Sequence, residues 1–521
     1  MEDGTRHVLA GVTEFSQREE LTTRLRNILH EYPPGLGAFN EFLQNADDAG
    51  ARHFAVVLDC VPASRSAGDD SELLHPGLAS FEGAALYFYN SATFSEGDFD
   101  SISSIGLSGK GANAAKIGRY GLGFNVAYHF SDCPAFISSE TLVMFDPHGQ
   151  HLPDGMMGLR ASFAAGSDSG LARGERYSRT MDGFRTVAPI FAADGSAAAR
   201  SDGDALGGGF DGTLFRLPLR TAAQAAASKI ASTTYGVDEV RRLISEFGSA
   251  AGELLLFLQH VESIAVYERS GAEGAPRRLV EVALANVSTE LRAERAVVAA
   301  RAKASTRTSA AARACVSEDG VAAATCGAYE LAVRTTSDDA TDVTVWLVAA
   351  AAPDASSASP AAPSADELRF LEAAVQSVSW GAVATPLIDA APLTSAGAAA
   401  GAAARAGLGD RVFSFLPLPM RSGLPLHSHA SFALSSNRRS LWTDSESDAS
   451  RPLMEAAELD RRLAILDGCR ADGDSVLSSS GGGASGACRD AHAIACEGVD
   501  LSAAKARWNH ILLAFALAPL V

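Results

Sequence analysis

The sequence is short of positive charge. Against 62 Asp and Glu stand 43 Lys and Arg, leaving a net charge of −19. Such a chain repels polyphosphate at long range. Indiscriminate contact with nucleic acid or an anionic membrane is therefore not expected, while a local pocket for one nucleotide remains open. Cysteine is scarce as well. Cys60, Cys133, Cys315, Cys326, Cys469, Cys488 and Cys496 are scattered, and no two have the spacing of a zinc knuckle or redox pair. The odd count and low density fit a reducing compartment, so a cytoplasmic protein is expected. No basic stretch followed by an apolar run opens the chain, which predicts no signal peptide. The longest apolar run, 511–521, is shorter than the roughly 20 residues a membrane span needs, and it predicts a core helix instead. Neither a Gly-x-Ser-x-Gly elbow nor a His-Glu-x-x-His pair occurs, so those hydrolase signatures are excluded. His427 and His429 alternate along an expected strand, but no third ligand is nearby, and they read as packed histidines.

What is there is apolar enough to fold. Hydrophobic residues make up 47% of 521, a length that predicts two or three domains. Leu21, Leu25, Ile28 and Leu29 have helical spacing, and a second helix is expected over 36–49. Strands are expected at Phe54–Leu58, Ala85–Tyr89, Leu142–Phe145, Thr213–Leu217 and Ile264–Tyr267. Helices and strands mix without strict alternation, which favours an α+β class. An apolar-striped segment spans 237–260. Tracts rich in Ala, Ser, Gly or Pro at 298–314, 350–365, 395–406 and 470–487 cannot offset their ordering entropy and read as loops.

Three motifs carry possible chemistry. In Glu41-Phe-Leu-Gln-Asn45-Ala-Asp-Asp48, residues 41, 45 and 48 share one helix face. A carboxylate there can serve as general base toward water, and an amide oxygen suits Mg²⁺. A solvated amphipathic helix explains the same spacing. In Gly118-Arg-Tyr-Gly121-Leu-Gly123-Phe124, glycines would let the backbone approach a phosphate, and the following helix would supply free N–H groups. A plain tight turn fits equally well. Asp211-Gly212-Thr213 leads into a strand, and its hydroxyl could reach a nucleobase; turn-then-strand is the simpler reading.

Taken in this order, the three motifs resemble the nucleotide site of the GHKL ATPases, the superfamily of the ninety-kilodalton heat-shock chaperone, gyrase B, MutL and histidine kinases. Within that superfamily the sequence resembles the sacsin-repeat and plant No Vein branch. Phe42-Leu-Gln-Asn-Ala-Asp-Asp-Ala-Gly50, Ala85-Leu-Tyr-Phe-Tyr-Asn90, Lys116-Ile-Gly-Arg-Tyr-Gly-Leu-Gly-Phe-Asn125 and Gly212-Thr-Leu-Phe-Arg-Leu-Pro-Leu-Arg220 carry that similarity. Further along, Phe415-Leu-Pro-Leu-Pro419 and Ser436-Asn-Arg-Arg439 extend it to about residue 445.

The resemblance implies roles. Glu41 would orient and deprotonate the attacking water. Asn45 would hold Mg²⁺. Asp48 would lie near the sugar and base, and Thr213 near the adenine. Gly118, Gly121 and Gly123 would form the phosphate loop, with Phe124 opening the next helix. Lys110 would sit in a short lid. Arg438 or Arg439 would reach the γ-phosphate from a second domain, since a planar fork binds phosphate bidentately. One departure stands out. Where the superfamily has an Asp accepting the adenine amine, this chain has Asn90 in Tyr89-Asn90-Ser91, an uncharged acceptor.

The expected fold is a two-layer α/β sandwich of the GHKL (Bergerat) type over 1–220, a mostly antiparallel sheet with helices on one face. A connecting helix over 221–260, a smaller insert-rich α/β domain over 261–445 and a helical tail over 446–521 would follow. The expected function is a slow Mg²⁺-dependent ATPase working as a chaperone-like switch, with ATP as ligand and protein clients or co-chaperones as partners. No nucleic-acid or membrane partner is expected. A non-hydrolysing binding scaffold is the rival.

Overall fold

The apolar spacing at Leu25, Ile28 and Leu29 forms helix α1 (Leu21–Glu31), and all three side chains are buried. Helix α2 (Leu36–Asp48) buries Phe39, Phe42, Leu43 and Ala46 along one stripe. The computed structural model describes residues 19–32, 34–61, 70–103, 123–192, 206, 209–271, 276–293, 295, 327–338, 340–351, 363–375, 381–387, 410–414, 416–424, 426–434, 441–442, 458–459, 461–463 and 499–517. The tracts 298–314, 395–406 and 470–487 lie outside them.

Strand β1 (His53–Asp59) is followed by β2 (Ala85–Asn90), helix α3 (Glu96–Ser103), β3 (Ala135–Ser139), β4 (Thr141–Phe145) and β5 (Gly158–Ser162). Short helices α4 (Asp182–Val187) and α5 (Pro189–Ala192) precede β6 (Phe210–Pro218). Helix α6 (Ala222–Ala227) begins with a Thr221–Gln224 capping box. Helix α7 (Val237–Leu254) buries Val240, Ile244, Phe247, Ala251 and Leu254 at helical spacing. Next come β7 (Ser263–Arg269), β8 (Arg277–Leu284), β9 (Gly327–Ser337) and β10 (Thr341–Ala351). Helix α8 (Ala365–Val375), β11 (Gly381–Pro386), β12 (Arg411–Ser414), β13 (Leu416–Arg421), β14 (His427–Ala430) and helix α9 (Leu501–Ile511) complete the described elements.

All fourteen strands join one sheet, in the order β13-β12-β14-β11-β10-β9-β8-β7-β1-β2-β6-β3-β4-β5. The protein is therefore mixed α/β around a large sheet. Neighbours are antiparallel except at β1–β7 and β12–β14. The β1–β7 pair places Phe54 beside Ile264 and Asp59 beside Arg269, so the sheet crosses residue 260 without a break. Buried Arg269 and Asp59 lock that pair with a 2.8 Å ion pair. Pro417 and Pro419 sit on β13, the sheet's edge, where a missing N–H costs no ladder bond.

The expectation of helices on one face alone needs correction. Strand β2 is buried at every residue and β1 at every residue after His53, as in a sheet covered on both sides. On one face Phe54, Val56, Phe88 and Phe215 pack under α2 and α7. On the other, Ala55, Val57, Tyr87 and Leu214 pack under Leu78, Phe81, Met181, Phe184 and Val187. Residues 70–81 and 178–192 supply that second cover through short helical turns without a long amphipathic stripe.

Helices α8 and α9 close the far part of the sheet. Trp508, Ile511, Leu371 and Val383 share one cluster, and the expected core helix at the end of the chain is the continuation of α9 through Leu512 and Leu517. Arg507 and Glu367, both buried, pair at 3.0 Å between the two helices. Among the described residues no helix is long and apolar enough to cross a membrane.

Candidate functional site

Helix α2 is held against the sheet by rings. Phe42 stacks on Phe88 with centroids 4.1 Å apart and meets Phe215 edge-on at 5.2 Å. Phe39 meets Phe88 at 5.2 Å. Each such pair adds about 1 kcal/mol beyond area burial. With that stripe facing the sheet, the polar face carrying Glu41 and Asn45 turns toward the segment that begins at Gly123.

Gly123 opens a seven-residue 3₁₀ helix, Gly123–His129, that packs on α2. A methyl group added to Gly123 would stand 2.8 Å from Glu41 Oε2 and 3.2 Å from Asn45 Nδ2. Only glycine lets the backbone come that close. The structure thus brings together two sequence motifs that lie about eighty residues apart. Glu41 is buried and Asn45 half-buried. The half-buried Phe124 packs its ring at 5.2 Å from Phe145 and 5.9 Å from Phe215. Asp48 is half-buried at the end of α2.

Glu41 also lines a cavity of about 540 Å³ together with Asn40 and Gln44. Its opposite wall is the β12–β13 hairpin, with Arg411, Pro417, Pro419 and Arg421. Two cations from the second half of the chain therefore face the same space as Glu41. Arg421 pairs with Asp410, and Arg411 lies 3.4 Å from Glu253. Nothing in the sequence motifs singled out these two arginines. The expected cations Arg438 and Arg439 lie outside the described residues, as do Lys110, Gly118 and Gly121.

Asn90 and Thr213 pair in register on β2 and β6, and Thr213 pairs with Ser138 on β3. Thr213 is fully buried. Its Oγ1 lies 2.7 Å from Ala92 O and 3.0 Å from Ser138 Oγ. Asn90 Oδ1 accepts the Ala92 N–H at 3.0 Å. Gly212, at φ +124° in the bulged start of β6, lies close against β2, where a Cβ would stand 2.7 Å from Asn90 O.

One acid of the motif has a role the sequence reading missed. Asp47 is buried, and its carboxylate accepts N–H bonds from Gln259 at 3.0 Å, His260 at 2.7 Å and Val261 at 2.9 Å. It ties the end of α2 to the chain entering β7. Two adjacent aspartates near a helix end were the only signal, and spacing alone does not tell which one turns inward. His427 and His429 are buried, as expected of packed histidines. His429 stacks on Phe257 at 4.9 Å, and His427 lies 5.5 Å from Trp346. No cluster of three or more His, Cys, Asp or Glu able to hold a metal occurs among the described residues.

The structure is a mixed α/β sheet on which buried helix α2 sets Glu41 and Asn45 against Gly123. The family described as the Sacsin domain matches residues 18–281, just over half of the chain. The chain belongs to the sacsin domain family. Human sacsin is 33% identical over 259 residues, which are 49% of this chain and 5% of that protein. The chain thus corresponds to a small part of that relative's length. A crystal structure of the N-terminal domain of a DNA repair protein overlaps 63% of this chain and 71% of its own. The identity is 9% and the TM-score 0.27, too loose an overlap to bear on fold or function.

Proposed function

We propose that the chain binds ATP with Mg²⁺ at the α2–Gly123 junction and hydrolyses it slowly, as a chaperone-like switch acting on protein clients. The observation that carries this reading is the contact of Gly123 with both Glu41 and Asn45. A carboxylate and an amide oxygen brought side by side beneath a glycine backbone support the reading of a Mg²⁺ held there, with the metal offsetting the repulsion between Glu41 and a phosphate. Asn45 would hold the Mg²⁺, which when bound neutralises phosphate charge. Glu41 would orient a water and take its proton. Arg411 and Arg421, across the cavity from Glu41, are cations that could approach phosphate from the second half.

A non-hydrolysing nucleotide-binding scaffold is the second reading. Thr213 donates its proton to Ala92 O, so in either reading it would have to release that bond to donate to a base. Hydrolysis of Mg²⁺-ATP by the purified chain and by Glu41→Ala separates the two. A general base is worth about 100-fold or more, so the variant should bind ATP and lose nearly all turnover. Binding without hydrolysis in either protein rejects the enzyme reading. Equal ATP affinity in Asn45→Ala and wild type, with Mg²⁺ present, rejects the pocket itself.

A further inference from the structure

Strands β9 and β10 are packed on one side. Leu331, Val333, Val348 and Ala350 point into the cluster under α7. Side chains alternate along a strand, so Glu330, Ala332 and Arg334 of β9 and Val343, Val345 and Leu347 of β10 face the other way. Two apolar clusters border that second face. One reaches β7 at Ala265 and Tyr267, the other β11 at Val383. Among the described residues, Ala332, Val343, Val345 and Leu347 belong to neither. Val343 is 56% exposed, and Leu387, just past β11, is 45% exposed. A half-solvated antiparallel sheet sets polar side chains on its wet face. Here a branched apolar stripe stands there instead, beyond residue 281 where the family match ends.

Register arranges this patch in rows across the strands. Ala332 pairs with Val345, and Leu387 donates its N–H to Val345 O at 2.7 Å, which makes an apolar row. On one side of it lies the row of Arg334 and Val343, on the other the row of Glu330 and Leu347. Each flanking row is two residues from the centre, about 6.6 Å at the usual strand rise. Arg334 and Glu330 are exposed, and neither side chain has an ion pair or hydrogen bond with another described residue.

A two-fold axis laid along the apolar row exchanges the two flanking rows. It reverses the strand direction of a second copy and turns the two faces toward each other, as in aligned sheet packing. Arg334 then stands over Glu330 of the partner subunit, and Glu330 over Arg334 of the partner subunit. Val343 and Leu347 exchange in the same way, while Ala332, Val345 and Leu387 meet their own counterparts. No like charges face each other. An isologous interface requires this self-complementarity, in which residue i touches j and j touches i.

We propose that this face joins two copies of the chain in a homodimer, with Ala332, Val345 and Leu387 along the two-fold axis and Arg334 paired with Glu330 across it. The contact is independent of the nucleotide site. It falls well short of the roughly 20–30 residues a side of a stable interface, so the dimer is weak, with a Kd on the order of 10 µM.

Sedimentation velocity of the full chain from about 1 to 200 µM tests this. The wild type should pass from monomer to dimer over that range. Arg334→Glu and Glu330→Arg each bring like charges together at both symmetric contacts, and each should weaken the dimer about tenfold. The double variant restores both pairs with their signs reversed and should return to within about threefold of wild type. Val345→Asp sets a carboxylate against its own counterpart on the axis and should leave monomer throughout. A wild type that stays monomeric at about 200 µM overturns the proposal. So does a dimer that either single reversal leaves unchanged, a double variant as weak as the singles, or a dimer that survives Val345→Asp.

Discussion

Replacing Asp47 tests how the site helix is tied to the rest of the sheet. Its two carboxylate oxygens take three backbone N–H groups, Gln259 on one and His260 and Val261 on the other. Hydrogen bonds to a charged acceptor contribute about 1.5–3 kcal/mol each, and they are not additive when they share one group. Asp47→Ala leaves three donors without a partner at a site that is 1% exposed. A loss of about 4 kcal/mol is expected. Asp47→Asn is more informative, because it nearly preserves volume. The Asn oxygen can keep His260 and Val261, while its NH₂ then faces the Gln259 N–H, donor against donor. Losing the charge and orphaning one N–H should cost about 2–3 kcal/mol, less than the alanine effect. Urea unfolding followed by circular dichroism reads both values from the midpoint at constant slope. A cost below about 1 kcal/mol for Asp47→Ala would show that the clamp does not exist in solution.

Gly123→Ala should cost about 1–2 kcal/mol of stability, because its methyl would stand 2.8 Å from Glu41 Oε2, and it should abolish nucleotide binding in a calorimetric titration. Arg220→Lys should cost about 3 kcal/mol in a denaturant titration, because buried Arg220 pairs with Asp132 at 2.7 Å and also donates to the Tyr128, His129 and Thr233 carbonyls. Burial lowers the His429 imidazole to about 3, so the unfolded chain binds its proton first. The stability this neutral histidine contributes is whole above about pH 6.5 and falls as pH drops toward 3. His429→Phe should flatten that acid slope in midpoints measured from pH 7 to 4; an unchanged slope would assign it to other groups, among them the lowered His427 and His129.

Local pattern was legible where one element decides it. The spacing of Leu21, Leu25, Ile28 and Leu29 placed α1, the helix expected over 36–49 is α2, and the apolar runs at 54–58, 85–89 and 264–267 placed β1, β2 and β7. The pairing of β1 with β7 was not legible, since parallel neighbours far apart in sequence leave no local trace. The second cover of the sheet escaped for a related reason. Leu78, Phe81, Met181 and Phe184 sit on helical turns too short to show a period. At the site, the shared face of Glu41 and Asn45 could be read from spacing, but Gly123 as its partner could not be read from geometry alone. Which of Asp47 and Asp48 turns inward was decided by residues 259–261, more than 200 positions away.

The ion pair between Asp59 and Arg269 spans 210 residues. On a ribosome adding about 5–20 residues per second, β1 would wait roughly 10–40 s for the strand that covers it. Until then its long apolar edge is open to pairing with another nascent chain. A polypeptide cut at residue 220 would keep that edge permanently. One carried through residue 269 would close it, and the family match, which runs to residue 281, includes that closing strand. The smallest piece in which β1 is paired on both sides is thus set by when β7 leaves the ribosome, not by where the site residues end.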